Sequence, residues 1–126
     1  MEKKDLKRVM VVDDTSSISF ALSEWLKDEG VKDVEVFEDP ALAIEDVKKN
    51  GAPDFIVTDY DMPGMNGVEF LKKVNSDQDV QAIIMTAYPS EITFEKGEKS
   101  YEVIEKKLGF IEKIVNKIHL FRKKDE

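Results

Sequence analysis

Short strand-like runs alternate with stretches whose apolar residues recur every three or four positions, and this alternation limits what the chain can fold into. The runs are RVMVV at 8–12, VEVF at 34–37, FIVT at 55–58, AIIMT at 82–86 and VIE at 103–105. Between them, residues 16–29 place Ile18, Ala21, Leu22, Trp25 and Leu26 on one helical face, and Gly30 stops that helix. Asp39 followed by Pro40 reads as a cap and a first helical residue, opening a helix to about Lys49. A short helix is expected over 68–74. A last one runs from Phe110 to Phe121, with Ile111, Ile114, Val115 and Ile118 completing its apolar stripe. Strands that alternate with helices imply a parallel sheet covered on both faces, and right-handed crossovers make it doubly wound.

One connection departs from the pattern. YPSEITFEKGEKSYE, between the fourth and fifth runs, carries Pro89 and Gly97, and Ile92 and Phe94 alternate as in a strand. The expectation there is a short irregular segment in place of a firm fourth helix.

Composition narrows the class. A chain of 126 residues with 41% apolar and 37% charged residues fits one globular domain. A net charge of -8 argues against a nucleic-acid surface, and the basic RKK at 122–124 reads as a solvated helix end. Without cysteine there is no disulfide or thiolate chemistry, which fits a cytoplasmic location. The charged start MEKKDLKR and the four-residue run VMVV argue against a signal peptide or membrane insertion.

Doubly wound sheets carry their sites at the carboxyl ends of the strands. The first run ends in Asp13-Asp14, the third in Asp59, the fourth in Thr86-Ala87 and the fifth in Glu105-Lys106-Lys107. Behind Asp59 lies a turn, YDMPGMNG, in which Gly64 and Gly67 read as residues needed for backbone shape. Three carboxylates within about 4–6 Å cannot all stay ionised without raised pKa values or a cation. An all-oxygen donor set favours a hard ion, Mg²⁺ before a softer metal. A carboxylate can attack phosphorus and become an aspartyl phosphate, whose oxygens a hydroxyl and a lysine suit as donors.

With these residues in place, the chain resembles the receiver domains of bacterial two-component response regulators, the CheY-like superfamily. VVDD at 11–14, DYDMPGMNG at 59–67, MTA at 85–87 and IEK at 104–106 carry the resemblance, from about Arg8 to Phe121. It implies a flavodoxin-like (βα)5 three-layer sandwich with a five-stranded parallel sheet in the order 2-1-3-4-5. It implies one receiver domain over 1–126, with no output domain. By the same resemblance Asp59 is the phosphoacceptor. Asp13, Asp14 and Asp59 hold Mg²⁺ (or Mn²⁺), with the backbone carbonyl of Asp61. Thr86 is the switch hydroxyl and Lys106 the phosphoryl partner. The donor would be a phosphohistidine on a sensor histidine kinase or a histidine phosphotransfer protein, and the output a downstream protein target.

The chain also departs from that family. Lys107 stands where proline is usual after the lysine, and Val103 where a switching aromatic is usual; Tyr101 is the nearest aromatic. The Lys106–Lys107 bond is therefore expected to be trans, with Gly109 absorbing the change of direction. Plainer readings stand beside the functional ones. Asp14, Thr15 or Ser16 could cap the first helix, Trp25 reads as a packed or half-packed helix residue, and His119 is assigned no role. Two other function classes compete. DYD also resembles the nucleophile and acid pair of haloacid-dehalogenase-like phosphatases, although Met62 follows it here. The remaining alternative is a non-phosphorylated receiver-like scaffold.

Overall fold

A computed structural model describes residues 7–75 and 80–123. Five strands, β1 (Arg8–Val12), β2 (Asp33–Phe37), β3 (Phe55–Asp59), β4 (Gln81–Thr86) and β5 (Glu102–Glu105), form one sheet in the order β2-β1-β3-β4-β5. Every pairing is parallel. The helices are α1 (Ser16–Asp28), α2 (Pro40–Asn50), α3 (Gly67–Val74) and α4 (Phe110–Lys123).

The central strands are buried on both faces, so they read as continuous apolar runs. Alternate residues feed two cores. Val9, Val11, Val57, Ile83, Met85 and Ile104 pack under α1 and α4 with Leu22, Leu26, Ile114, Val115 and Ile118. Met10, Val12, Ile56 and Ile84 pack on the opposite face under α2 and α3 with Ala43, Val47, Phe70, Leu71 and Val74.

Local chemistry sets the helix starts. The Asp39 side chain accepts from the Ala41 N–H, with Pro40 in the first turn of α2. Asn66 and Glu69 form a reciprocal capping box at α3. That box draws Gly67 into the helix, one residue earlier than the apolar spacing indicated.

Between β4 and β5 the described chain contains one 3-10 turn, Pro89–Glu91, and no α-helix. The strands follow the (βα)5 plan, but the helices number four among the described residues, as Pro89 and Gly97 led us to expect. Ile92, Phe94, Tyr101 and Val103 nevertheless pack, partly buried, against the α2/α3 core. This irregular strap lays apolar side chains on the sheet without forming a helix.

Candidate functional site

The carboxyl ends of β1, β3, β4 and β5 bring the expected residues to one rim. The pleat sorts them. Val9 and Val11 face the α1/α4 core, and so do Val57 and Ile104. Two residues on, along the same side, come Asp13, Asp59 and Lys106. Thr58 and Thr86 follow Ile56 and Ile84 on the opposite side.

Asp13 and Asp59 are buried, at 0% and 5% exposure, whereas Asp14 is exposed. Each of the three offers a carboxylate oxygen, and these atoms lie within 4.8 Å of one another. The Lys106 ammonium reaches into the group, 2.9 Å from Asp59 Oδ1 and 3.9 Å from Asp13 Oδ2. Lys107 points elsewhere, exposed and 4.0 Å from Glu105. The peptide between the two lysines is trans, and Gly109 takes a φ of 86° in the turn that follows.

Burial pushes the carboxyls of both Asp13 and Asp59 above the ordinary aspartate value. For Asp13 the hydrogen bond from the Thr15 N–H and the nearby Lys106 charge oppose that shift. For Asp59 the Lys106 contact is the main opposing influence.

Thr15 occupies the N-cap of α1, with no side-chain cap hydrogen bond. Asp13 Oδ1 accepts from the Thr15 N–H at 2.8 Å. Asp13 Oδ2 is buried and has no hydrogen-bond partner among the described residues. A buried carboxylate oxygen without a hydrogen bond beside two other carboxylates is costly, and a hard divalent cation is the natural partner for that donor set. The residues present therefore fit Mg²⁺. Asp61 lies exposed in the turn after β3.

Thr86 is buried, and its Oγ1 accepts from the Tyr88 N–H at 3.1 Å. Its carbonyl accepts from the Lys106 N–H at 2.7 Å, tying the ends of β4 and β5 together. Tyr101 is half-buried, and its hydroxyl is hydrogen-bonded to the Asn75 side chain at the end of α3.

Two residues at the rim carry more than sequence reasoning assigned them. Gly64 has a positive φ of 87°, as a turn glycine should. Gly67 does not; it is needed because a Cβ there would meet the Asp59 carbonyl oxygen at 2.6 Å. Thr58, fully buried, donates its hydroxyl to that same carbonyl at 3.0 Å. A threonine inside an apolar run was the available signal for Thr58. For Gly67 none existed, since the contact is set by how α3 lands on β3.

A parallel sheet in this order, with a lysine-partnered acidic rim at its carboxyl edge, defines a flavodoxin-like α/β protein with a polar site at the switch of strand order. The comparisons with known proteins name the family. The model described as the response regulator receiver domain matches residues 9–121. Chemotaxis protein CheY-3 of Vibrio cholerae is 34% identical over 74 residues, covering 59% of this chain and 56% of that protein. Sporulation initiation phosphotransferase F of Bacillus subtilis is 32% identical over 83 residues, covering 65% of each. Among solved structures, the chemotaxis response regulator CheY4 of Vibrio cholerae superposes with a TM-score of 0.78 at 25% identity, covering 92% of this chain and 98% of that one. The chain belongs to the response regulator receiver domain family.

Proposed function

We propose that this chain accepts a phosphoryl group on Asp59 from a phosphohistidine of a sensor histidine kinase or histidine phosphotransfer protein. The phosphorylated form then binds a downstream protein through a changed surface. The observation that carries the reading is the 2.9 Å contact between Lys106 Nζ and Asp59 Oδ1, set inside the three-carboxylate cluster.

In the transfer an Asp59 oxygen attacks phosphorus. The P–N bond breaks, the imidazole leaves with its electron pair, and an acyl phosphate remains on Asp59. Lys106 holds the carboxylate before transfer and is placed to pair with a phosphoryl oxygen after it. Thr86 Oγ1 already accepts from the Tyr88 N–H, so its own proton is left to donate to another phosphoryl oxygen. Asp13, Asp14, Asp59 and the Asp61 carbonyl would hold Mg²⁺, or Mn²⁺ in its place, which when bound neutralises charge on the carboxylates and the phosphoryl group. Beyond forming and losing this adduct, the chain needs no turnover on a separate substrate.

Acetyl phosphate with Mg²⁺ should add one phosphoryl mass to the wild-type protein in intact-mass spectrometry. The adduct should be absent in Asp59→Asn and in excess chelator. Equal labelling of Asp59→Asn would overturn the assignment. A phosphotransfer profile against purified sensor kinases would then identify the donor by kinetic preference.

A further inference from the structure

Asp59 is the last residue of β3, and its own backbone is gripped from several directions. The carboxylate lies on the α1/α4 side of the sheet with Lys106. Helix α3 presses on the peptide from the other side, since Phe70, Leu71 and Val74 belong to the α2/α3 core. Gly67, buried in the first turn of α3, comes so close that an added Cβ would lie 2.6 Å from the Asp59 carbonyl oxygen and 3.2 Å from Tyr60 Cα. Both neighbours are backbone, so neither can swing aside as a side chain would. The Gly67 N–H donates to the Tyr60 carbonyl at 2.8 Å, and the Tyr60 N–H donates to the Met85 carbonyl at 2.8 Å. The Thr58 hydroxyl, at 0% exposure, donates to the Asp59 carbonyl at 3.0 Å. Burying a hydroxyl inside an otherwise apolar strand costs free energy unless it is bonded; Met62 Sδ lies 3.9 Å from this one, and its shorter bond goes to the backbone of the residue that carries the site.

We propose that Thr58 and Gly67 are positioning residues for Asp59. The Thr58 hydroxyl and the missing Cβ of Gly67 together fix the Asp59–Tyr60 peptide, and that fixes where the Asp59 carboxylate meets Lys106 and the Asp13–Asp14 pair. The inference rests on the phosphoacceptor reading for its effect on rate, but not for its effect on geometry. Near-attack alignment of a nucleophile is sensitive to displacements of about 1 Å, enough to lose about 100-fold in rate. Relieving a 2.6 Å contact to an ordinary 3.4 Å or more requires a shift approaching that size.

The test uses Thr58→Val, which keeps the shape and removes the hydroxyl, Thr58→Ser, which keeps the hydroxyl, and Gly67→Ala. Crystal structures of the variants supply an arm independent of phosphorylation. The Lys106 Nζ–Asp59 Oδ1 contact should open beyond 4 Å in Thr58→Val or Gly67→Ala, and persist in Thr58→Ser. Labelling by acetyl phosphate supplies the second arm. The rate constant at saturating donor and Mg²⁺ should fall at least 10-fold in Thr58→Val and Gly67→Ala, with half-saturating donor nearly unchanged, and stay within about twofold of wild type in Thr58→Ser. Contact and rate both retained in folded Thr58→Val and Gly67→Ala would overturn the proposal. So would an equal loss in Thr58→Ser, which would make Thr58 a matter of packing alone. If Gly67→Ala does not fold, the Thr58 pair decides. Failure of the wild-type protein to label would instead defeat the phosphoacceptor reading, and the crystallographic arm would still decide the positioning role.

Discussion

Asp13 holds an ionisable group where water cannot reach it and leaves one oxygen without a hydrogen bond among the described residues, 3.9 Å from the Lys106 ammonium. Burial raises its pKa in the folded state. Between the unfolded value of about 3.9 and that higher value, the folded chain binds more protons than the unfolded one. The contribution of Asp13 to stability is therefore fully present below pH ~3.9 and is lost as pH rises through the folded pKa. At neutral pH and without divalent cation, Asp13→Asn should stabilise the fold, by about 1–3 kcal/mol if the desolvation penalty of a buried unpaired group is removed. The gap between variant and wild type should narrow as pH falls through that window. Urea unfolding in chelator at several pH values measures both; a variant less stable than wild type at pH 7 would show that Lys106 already compensates the charge. At the same scale, Lys106 was readable and its neighbour could be dismissed. A lysine that continues the apolar side of β5 reaches the rim, whereas the next residue faces away.

Among the elements, the strap from Pro89 to Tyr101 departs furthest from the regular plan. Its backbone contributes few hydrogen bonds of its own: Glu91 N–H to Tyr88, Ile92 N–H to Pro89 and Glu98 N–H to Glu95. Side chains tether it instead. Lys72 on α3 pairs with Glu98 at 3.1 Å, Lys99 Nζ donates to the Val80 carbonyl at 3.3 Å, and the Phe94 and Tyr101 rings lie 6.3 Å apart. The Tyr101 hydroxyl bonds the side chain of Asn75, whose Oδ1 also accepts from the Val80 N–H. Amides of Thr93–Lys99 should exchange fast while those of α4 stay protected, because a segment held by side chains opens locally. Tyr101→Phe should cost about 1 kcal/mol and speed exchange in the strap before it affects α1 or α4. Protection across the strap equal to that of α4 would contradict this account.

Across the whole molecule, the proposed function would require that one bond on Asp59 shift the balance between two conformations. Moving a population from 1:99 to 99:1 takes about 5.5 kcal/mol. Charge-assisted hydrogen bonds contribute roughly 1.5–3 kcal/mol each, so Thr86 and Lys106 together could supply much of it. Thr86 sits where such a pull is transmitted: its hydroxyl holds the Tyr88 N–H at the root of the strap, and its carbonyl holds the Lys106 N–H. Tyr101, the aromatic nearest to Val103, is hydrogen-bonded to Asn75, so the expected route runs through the strap. Thr86→Ala should still accept phosphate at Asp59 but respond weakly. On beryllofluoride addition, amide shifts over 86–104 should change far less than in wild type. An undiminished response would place the relay elsewhere.

The sequence by itself determined the strands, the four helices, the irregular fourth connection and the residues at the strand ends. Each of these is written in local terms. Periodicity decides strand against helix, Pro and Gly break elements, and a run's last residue lies at the rim of a parallel sheet. The strand order came from resemblance, and the pairings bear it out. Only the tertiary structure decided what those residues do to one another. It left Asp13 Oδ2 without a hydrogen bond among the described residues, brought the Lys106 ammonium to 2.9 Å from Asp59, fastened Tyr101 to Asn75 across 26 positions and set Gly67 against the Asp59 carbonyl. These outcomes depend on how α3 and β5 dock against β3 and β4. Contact distances between elements are fixed by packing of the whole core, and no local run of residues encodes them.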